Sequence, residues 1–121
     1  MTAKRILIAD DNQLVRNFVK FYLESQTHFR VCGEAVNGMD VIEKARTLNP
    51  DLIVMDFSMP IMNGIEACSV LKVMLPQVPV VLYTSHDSAL LEAQALEVGV
   101  RVVVKKHEFA RFAGHLREFL G

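Results

Sequence analysis

A chain of 121 residues with a hydrophobic fraction of 51% is long enough to bury one core and too short for a second. Its net charge of −1 argues against nucleic-acid binding, because domains that bind nucleic acids usually carry a strong basic excess. No apolar run approaches the length of a membrane span, and the first five residues lack the apolar segment of a signal peptide. Cys32 and Cys68 lie inside hydrophobic patterns and suit buried free thiols in a reducing compartment. We therefore expect one domain over residues 1–121, located in the cytoplasm, without direct membrane or nucleic-acid partners.

The hydrophobic pattern alternates along the chain between short apolar runs and stretches with helical spacing. The short runs predict five strands, at Ile6–Ala9, Arg30–Val36, Leu52–Met55, Pro79–Tyr83 and Val100–Val104. Apolar residues three and four apart predict five helices, at Gln13–Gln26, Val41–Leu48, Ile65–Leu75, Ser88–Val98 and Phe109–Leu120. Five strands alternating with five helices predict an α/β fold, in which helices cover both faces of a parallel sheet.

Polar residues follow four of the predicted strands directly. They are Asp10 and Asp11 after the first strand, Asp56 after the third, Thr84 after the fourth and Lys105 after the fifth. In an open parallel sheet, ligands bind outside the carboxyl ends of the strands, so these residues are the candidates for a site. Three clustered carboxylates repel one another by about 4 kcal/mol per pair at 4 Å and an effective dielectric of 20. A divalent cation removes this repulsion, and a set of hard oxygen ligands with room for water suits Mg²⁺.

The same residue types are those that phosphoryl transfer requires. The Asp56 carboxylate is a candidate nucleophile, because aspartyl phosphate is an established covalent intermediate. Lys105 would supply a positive charge, and the Thr84 hydroxyl would donate to a phosphoryl oxygen. Taken singly, Asp10 and Asp11 also suit N-cap residues of the first helix, and Asp56 suits an ordinary turn acid. The functional interpretation depends on their joint occurrence at strand ends.

Four segments resemble the receiver domain of two-component response regulators, and together they cover nearly the whole chain. The resemblance is carried by residues 6–11, 50–64, 83–85 and 102–105, which contain the acids, the threonine and the lysine named above. Residues 31–38 further resemble the receivers that precede a helix-turn-helix DNA-binding domain. This second likeness favours a receiver that belongs to a longer regulator, and a stand-alone regulator stays an open alternative.

The resemblance implies a flavodoxin-like three-layer (βα)5 sandwich, with a five-stranded parallel sheet in the order 2-1-3-4-5. It implies a phosphorylation-dependent switch in which Asp56 takes a phosphoryl group from a sensor histidine kinase or a phosphotransfer protein. Asp11 and Asp56 would bind Mg²⁺ directly, Asp10 would act through water, and Ser58 would contribute its main-chain carbonyl. A homodimer would form through the fourth helix, fifth strand and fifth helix. No enzymatic turnover is expected beyond self-phosphorylation and slow autodephosphorylation.

Two side chains near the acids occupy positions where receivers often tune dephosphorylation. Ser58 lies two residues after Asp56, and His86 lies two residues after Thr84. His86 also suits an ordinary loop histidine, so both interpretations stay open.

The end of the fifth strand departs from the family pattern. Val102 stands three residues before Lys105, where the family often has an aromatic side chain, and Lys106 follows where proline is common. The spacing from Gly99 to Lys105 is also one residue shorter than usual. These departures concern how the signal reaches the fourth helix and fifth strand, and they leave the acid cluster intact.

Three other functions fit parts of the pattern. A phosphatase of the haloacid-dehalogenase type also uses a strand-end aspartate with Mg²⁺, but it needs a second aspartate two residues on, where this chain has Ser58. A flavodoxin-like electron carrier cradles a phosphate in its first loop, where Asp10 and Asp11 would repel that anion. The intact acids oppose a degenerate receiver that only binds other proteins, whereas Val102 and Lys106 favour one.

Overall fold

The computed structural model describes residues 3–26 and 28–116, in which strands and helices alternate. The elements are β1 (Arg5–Ala9), α1 (Gln13–Gln26), β2 (Arg30–Ala35), α2 (Gly38–Leu48), β3 (Leu52–Asp56), α3 (Gly64–Met74), β4 (Val80–Thr84), α4 (Ala89–Glu97), β5 (Val102–Lys105), a 3-10 turn (Lys106–Glu108) and α5 (Phe109–Ala113). All strands are parallel, in the order β2-β1-β3-β4-β5. The predicted flavodoxin-like fold is confirmed. Within the described residues, no helix combines the length and hydropathy needed to cross a membrane.

The observed elements differ from the predicted ones mainly at their ends. β5 begins two residues later than predicted, at Val102, because the main-chain N–H of Val100 donates to the carbonyl of Ala95 at 3.0 Å. The last helix was predicted to continue to Leu120, but Phe119 and Leu120 lie outside the described residues. Strand and helix ends are where hydrophobic spacing carries the least information, since loops interrupt the period.

The sheet is buried on both faces, and its side chains divide between two cores. One core lies under α2, α3 and α4 and includes Leu7, Ile53 and Leu82. The other lies under α1 and α5 and includes Ile8 and Val54. Successive side chains of a strand point to opposite faces, so an uninterrupted apolar strand supplies both cores at once. This burial gives the carboxyl ends of the central strands a rigid base.

The loop between β3 and α3 is fixed by hydrogen bonds on both sides. Asn63 and Glu66 form a capping box, in which the Asn63 side chain accepts from the Glu66 N–H at 2.9 Å and the Glu66 side chain accepts from the Asn63 N–H at 3.0 Å. The Gly38 N–H donates to the carbonyl of Met62 at 3.0 Å, which ties the loop to α2. Ile61 adopts a φ of 71°, a left-handed conformation that is strained for a β-branched residue. The loop therefore holds a defined shape at the expense of one strained residue.

Candidate functional site

The structure brings the three predicted acids together at the carboxyl edge of the sheet. Asp10 directly follows β1 and is 1% exposed, and Asp56 ends β3 and is 3% exposed. Asp11 is exposed beside them. Each of the three offers a carboxylate oxygen, and these oxygens lie within 4.8 Å of one another. A cluster of hard, negatively charged oxygens with one solvent-facing member fits a small divalent cation that keeps part of its water shell.

The environment of Asp56 disfavours its charged form. Burial raises its pKa from 3.8 to about 6, and the neighbouring charge of Asp10 acts in the same direction. The ammonium group of Lys106 and the main-chain N–H of Ser58 oppose that shift. The Ser58 N–H lies 3.3 Å from Asp56 Oδ1. A cation bound to the acids would favour the ionised carboxylate, which is the form that can attack phosphorus.

Asp10 is held by donors on both of its carboxylate oxygens. The main-chain N–H of Asn12 donates to Oδ1 at 2.8 Å, and the hydroxyl of Tyr83 donates to Oδ2 at 2.9 Å. Burial raises the pKa of Tyr83 far above its ordinary value, with the charge of Asp10 as a second cause, so this hydroxyl stays protonated. Arg16 donates to the main-chain carbonyl of Asp10 at 2.7 Å. The orientation of Asp10 is therefore fixed before any ligand binds.

The first helix is capped by Asn12 and not by either acid. The side-chain oxygen of Asn12 accepts from the N–H groups of Leu14 and Val15, at 2.9 and 3.2 Å. Asp10 and Asp11 are therefore not engaged as helix caps. The alternative interpretation of these two acids as N-cap residues is wrong.

The lysine that reaches the acids is Lys106 and not Lys105. Lys106 Nζ lies 3.3 Å from Asp56 Oδ2 and 4.0 Å from Asp10 Oδ2. Lys105 Nζ lies 3.2 Å from Asp87 Oδ1 and 3.2 Å from the main-chain carbonyl of His86. The prediction that Lys105 supplies the positive charge beside Asp56 is wrong.

The physical reason is the change of backbone geometry after β5. Lys105 is the last strand residue, paired with Thr84, and its side chain extends toward the loop between β4 and α4. Lys106 begins the 3-10 turn, and its ammonium group lies 5.7 Å from the centroid of the Tyr83 ring on the way to the acids. The spacing from Gly99, one residue short for Lys105, was the signal in the sequence for this shift. Counted from Lys106, the residue three before is Val103, and again no aromatic ring stands there.

Thr84, Ser58 and His86 lie at the same edge of the sheet. Thr84 is 1% exposed, and its hydroxyl oxygen accepts from the N–H of His86 at 3.0 Å. Asp56 pairs with Tyr83 across β3 and β4, which places Thr84 one residue beyond the partner of Asp56. The His86 ring makes an edge contact with Phe57, at 6.0 Å between centroids. The predicted acids and Thr84 thus lie together at this edge, and Lys106 occupies the position beside Asp56 that was predicted for Lys105.

An apolar cavity of about 350 Å³ opens beside the acids, between α1 and α5. The residues that line it are Asn12, Leu14, Val15, Phe18, Val19, Tyr83, Lys106 and Phe109. Sequence reasoning missed both this cavity and the role of Tyr83. Tyr83 falls inside an apolar run, where the sequence does not distinguish a tyrosine with a polar contact from an ordinary core residue.

Residues 6–115 match the family profile described as response regulator receiver domain. The response regulator protein VraR of Staphylococcus epidermidis is 40% identical over 104 residues, which are 86% of this chain and 50% of that protein. A two-component response regulator of the LuxR family from Aurantimonas sp. SI85-9A1 superposes with a TM-score of 0.92 at 25% identity, covering 98% of this chain and 86% of that one. The response regulator domain of Thermotoga maritima CheB superposes with a TM-score of 0.85 at 30% identity, covering 98% and 94%. The chain thus spans about half the length of the relative VraR.

Proposed function

The chain belongs to the family of response regulator receiver domains, and from that premise we propose that it is a phosphorylation switch whose acceptor is Asp56. The phosphoryl donor would be a sensor histidine kinase or a phosphotransfer protein. The observation that carries the proposal is the position of Lys106 Nζ, 3.3 Å from the carboxylate of a buried Asp56 that two further acids surround. A buried nucleophile, a cation-binding acid cluster and a fixed lysine are what phosphoryl transfer needs.

The residues of the chain have distinct roles in the proposed transfer. One Asp56 oxygen forms the bond to phosphorus while the bond between phosphorus and the donor's nitrogen breaks. Lys106, already beside that carboxylate, offsets the negative charge carried by the phosphoryl oxygens. The Thr84 hydroxyl oxygen accepts from His86, so its own proton is available to donate to a phosphoryl oxygen. We assign the lysine role to Lys106, since Lys105 is paired with Asp87.

The acid cluster fits Mg²⁺ by the chemistry of its donors. Asp11 and Asp56 would bind the ion directly, Asp10 through water, and Ser58 through its main-chain carbonyl. When bound, Mg²⁺ supplies positive charge that neutralises the carboxylates and the incoming phosphoryl group. Ser58 and His86 both lie at the rim of this site, and we propose that they tune how fast the phosphoryl group is lost.

Exposed apolar side chains support the proposed protein partners. Leu14 and Phe18 on α1 are 78% and 48% exposed beside the acid cluster, where a donor protein must approach Asp56. Leu90 and Leu96 on α4 are 69% and 50% exposed, and they support a homodimer through α4, β5 and α5. The net charge of −1 gives no support for direct binding of nucleic acid.

The proposal is tested by incubating the protein with acetyl phosphate and Mg²⁺ and measuring its intact mass. We expect the mass of one phosphoryl group to be added to the wild type and none to Asp56→Asn. Asp51→Asn is a matched control, since Asp51 is an exposed acid that accepts from the Arg5 N–H at 2.8 Å and should leave the adduct unchanged. An unmodified wild type, or an undiminished adduct in Asp56→Asn, would disprove the proposal.

A further inference from the structure

Tyr83 joins three parts of the site through one buried side chain. The residue is 1% exposed, and its hydroxyl lies 2.9 Å from Asp10 Oδ2 and 3.2 Å from the carbonyl of Ala9. The face of its ring lies 5.7 Å from Lys106 Nζ. Its edge packs against Phe109 at the start of α5, with 5.6 Å between the ring centroids. No other described tyrosine contacts the acids, since Tyr22 lies on α1 against Phe18 and Phe21.

We propose that Tyr83 is a positioning residue of the acid site, whose hydroxyl orients Asp10 for the cation and whose ring places Lys106 beside Asp56. This inference rests on the proposed function, because it assigns a role within the same phosphoryl-transfer site. Tyr83 touches neither the phosphoryl group nor the cation in this account, and it acts through the two side chains that do.

The hydroxyl acts on Asp10 by removing its freedom to rotate. One oxygen of that carboxylate is already held by the N–H of Asn12, and the Tyr83 hydroxyl donates the hydrogen bond that fixes the other, with Lys106 Nζ farther away at 4.0 Å. A charge-assisted hydrogen bond of this kind is stronger than a neutral one. It also offsets part of the repulsion between Asp10 and Asp56 while no cation is bound. The Asp10 carboxylate is therefore held in one orientation, so Mg²⁺ binding costs less side-chain conformational entropy.

The ring acts on Lys106 as a surface for its ammonium group. A cation within about 6 Å of an aromatic centroid is attracted by the negative face of the ring. Lys106 is the first residue of a three-residue 3-10 turn, where the strand no longer determines the direction of the side chain. The ring and the two acids together determine that direction. The Tyr83 hydroxyl thus contacts Asp10 and its ring contacts Lys106, so substitutions of Tyr83 can distinguish the two effects.

The test compares Tyr83→Phe, which removes only the hydroxyl, with Tyr83→Leu, which also removes the ring. Tyr22→Phe is the matched control, because it removes the other tyrosine hydroxyl of the chain. Mg²⁺ binding is followed through the amide resonances of Asn12 and Ser58, whose N–H groups donate to Asp10 and Asp56 respectively. Phosphorylation by acetyl phosphate is measured across a range of Mg²⁺ concentrations, and thermal unfolding of every variant is recorded.

For Tyr83→Phe we expect the Mg²⁺ concentration at half saturation to rise about tenfold, the lower end of what hydrogen bonds to a metal-site ligand contribute. The rate at saturating Mg²⁺ should equal that of the wild type, because the ring still carries Lys106. The Asn12 amide should shift in the metal-free variant, while the Ser58 amide should not. Tyr83→Leu should additionally lower the saturating rate several-fold. In the Asp10→Ala background, Tyr83→Phe should have no further effect on Mg²⁺ binding, since the side-chain oxygen that accepts from the hydroxyl is gone.

A purely structural role for Tyr83 would give a different pattern. Tyr83→Phe would then change the unfolding temperature and leave Mg²⁺ half saturation at the wild-type value, as Tyr22→Phe does, and that result would overturn the inference. An equal loss of Mg²⁺ affinity in the wild-type and Asp10→Ala backgrounds would overturn it as well. Failure of the proposed function is distinguishable, because the wild type would then bind Mg²⁺ normally and take no phosphoryl group.

Discussion

The acid site and the region of α4 lie at neighbouring strand ends, but they are built in opposite ways. Asp10, Asp56 and Thr84 are almost wholly buried, and hydrogen bonds fix each of them. In α4, only Ala95 is buried, while Leu90 and Leu96 are largely exposed. The acid site is thus held by burial and hydrogen bonds, whereas α4 has few buried side chains and should open locally at a lower free-energy cost. Under the proposed function, the rigid region would receive the phosphoryl group and the loosely packed α4 would change its contacts.

The contrast predicts first that equal truncations will have unequal effects on stability. Leu82 in β4 is wholly buried, so Leu82→Ala should lower the free energy of unfolding by about 3–4 kcal/mol, through lost burial and the cavity left behind. Leu90 in α4 is 69% exposed, and Leu90→Ala should lower it by less than about 0.5 kcal/mol. Urea denaturation of both variants measures the difference. Comparable losses would show that α4 is anchored as firmly as the central sheet.

The two adjacent lysines give the second prediction, because each belongs to one of the two regions. Lys106→Ala should slow phosphorylation by acetyl phosphate about 100-fold, the effect of removing one fixed donor from a charged transition state. Lys105→Ala should leave that rate unchanged and should speed amide hydrogen exchange in the loop before α4, since its bonds to His86 and Asp87 are lost. A slower rate in Lys105→Ala than in Lys106→Ala would show that Lys105, and not Lys106, offsets the charge of the phosphoryl group.

The third prediction concerns pH and applies to the rigid site alone. The raised pKa of Asp56, about 6, means that the folded protein holds this proton more tightly than the unfolded chain. Protonated Asp56 therefore contributes to the free energy of unfolding. This contribution is fully present below pH 3.8, the ordinary pKa of the group, and is lost as the pH rises through about 6. Without a divalent cation, the wild type should lose on the order of 2 kcal/mol relative to Asp56→Asn between about pH 4 and about pH 7.

The measurement is urea denaturation of both proteins across that pH range, with and without Mg²⁺. Saturating Mg²⁺ should abolish the loss, because the cation stabilises the ionised carboxylate. A wild type whose stability follows that of Asp56→Asn at every pH would show that Asp56 titrates normally.

The smallest expected effect concerns the strained loop that follows the site. Ile61 is 79% exposed and has a φ of 71°, so its side chain contributes little packing while its backbone is strained. Ile61→Gly should raise the free energy of unfolding by up to about 1 kcal/mol, since glycine adopts this conformation without a steric penalty. Chemical denaturation checks the gain, and Val73→Gly, at an exposed position of α3, is a control that should destabilise. A loss of stability in Ile61→Gly would mean that the side chain makes contacts that outweigh the strain.

The fold and the acid cluster could be predicted because their signals are periodic and redundant. Apolar runs and helical spacing alternate five times, and a parallel sheet brings the residues after its strands to one edge whatever the details of packing. Asp10, Asp11, Asp56 and Thr84 therefore lie where the sequence predicted them.

The lysine and the tyrosine could not be predicted in the same way. The run Val102–Val104 followed by two lysines is uniform, so its hydrophobic pattern does not determine which lysine turns toward the acids. The short spacing from Gly99 to Lys105 was the one sign in the sequence that the lysine is Lys106. Tyr83 lies inside the apolar strand β4, and only the structure shows that its hydroxyl reaches Asp10. In both cases the information lies in the direction of a side chain, which hydrophobic spacing does not encode.

The proposed role of Asp56 as phosphoryl acceptor is tested by locating the phosphoryl group after reaction with acetyl phosphate and Mg²⁺. The modified protein is digested, and the position of the added mass is determined by mass spectrometry. We predict one phosphoryl group, carried by Asp56, and none on Asp10, Asp11 or a histidine. A phosphoryl group on any other residue, or a wild type that takes none, would show that Asp56 is not the acceptor.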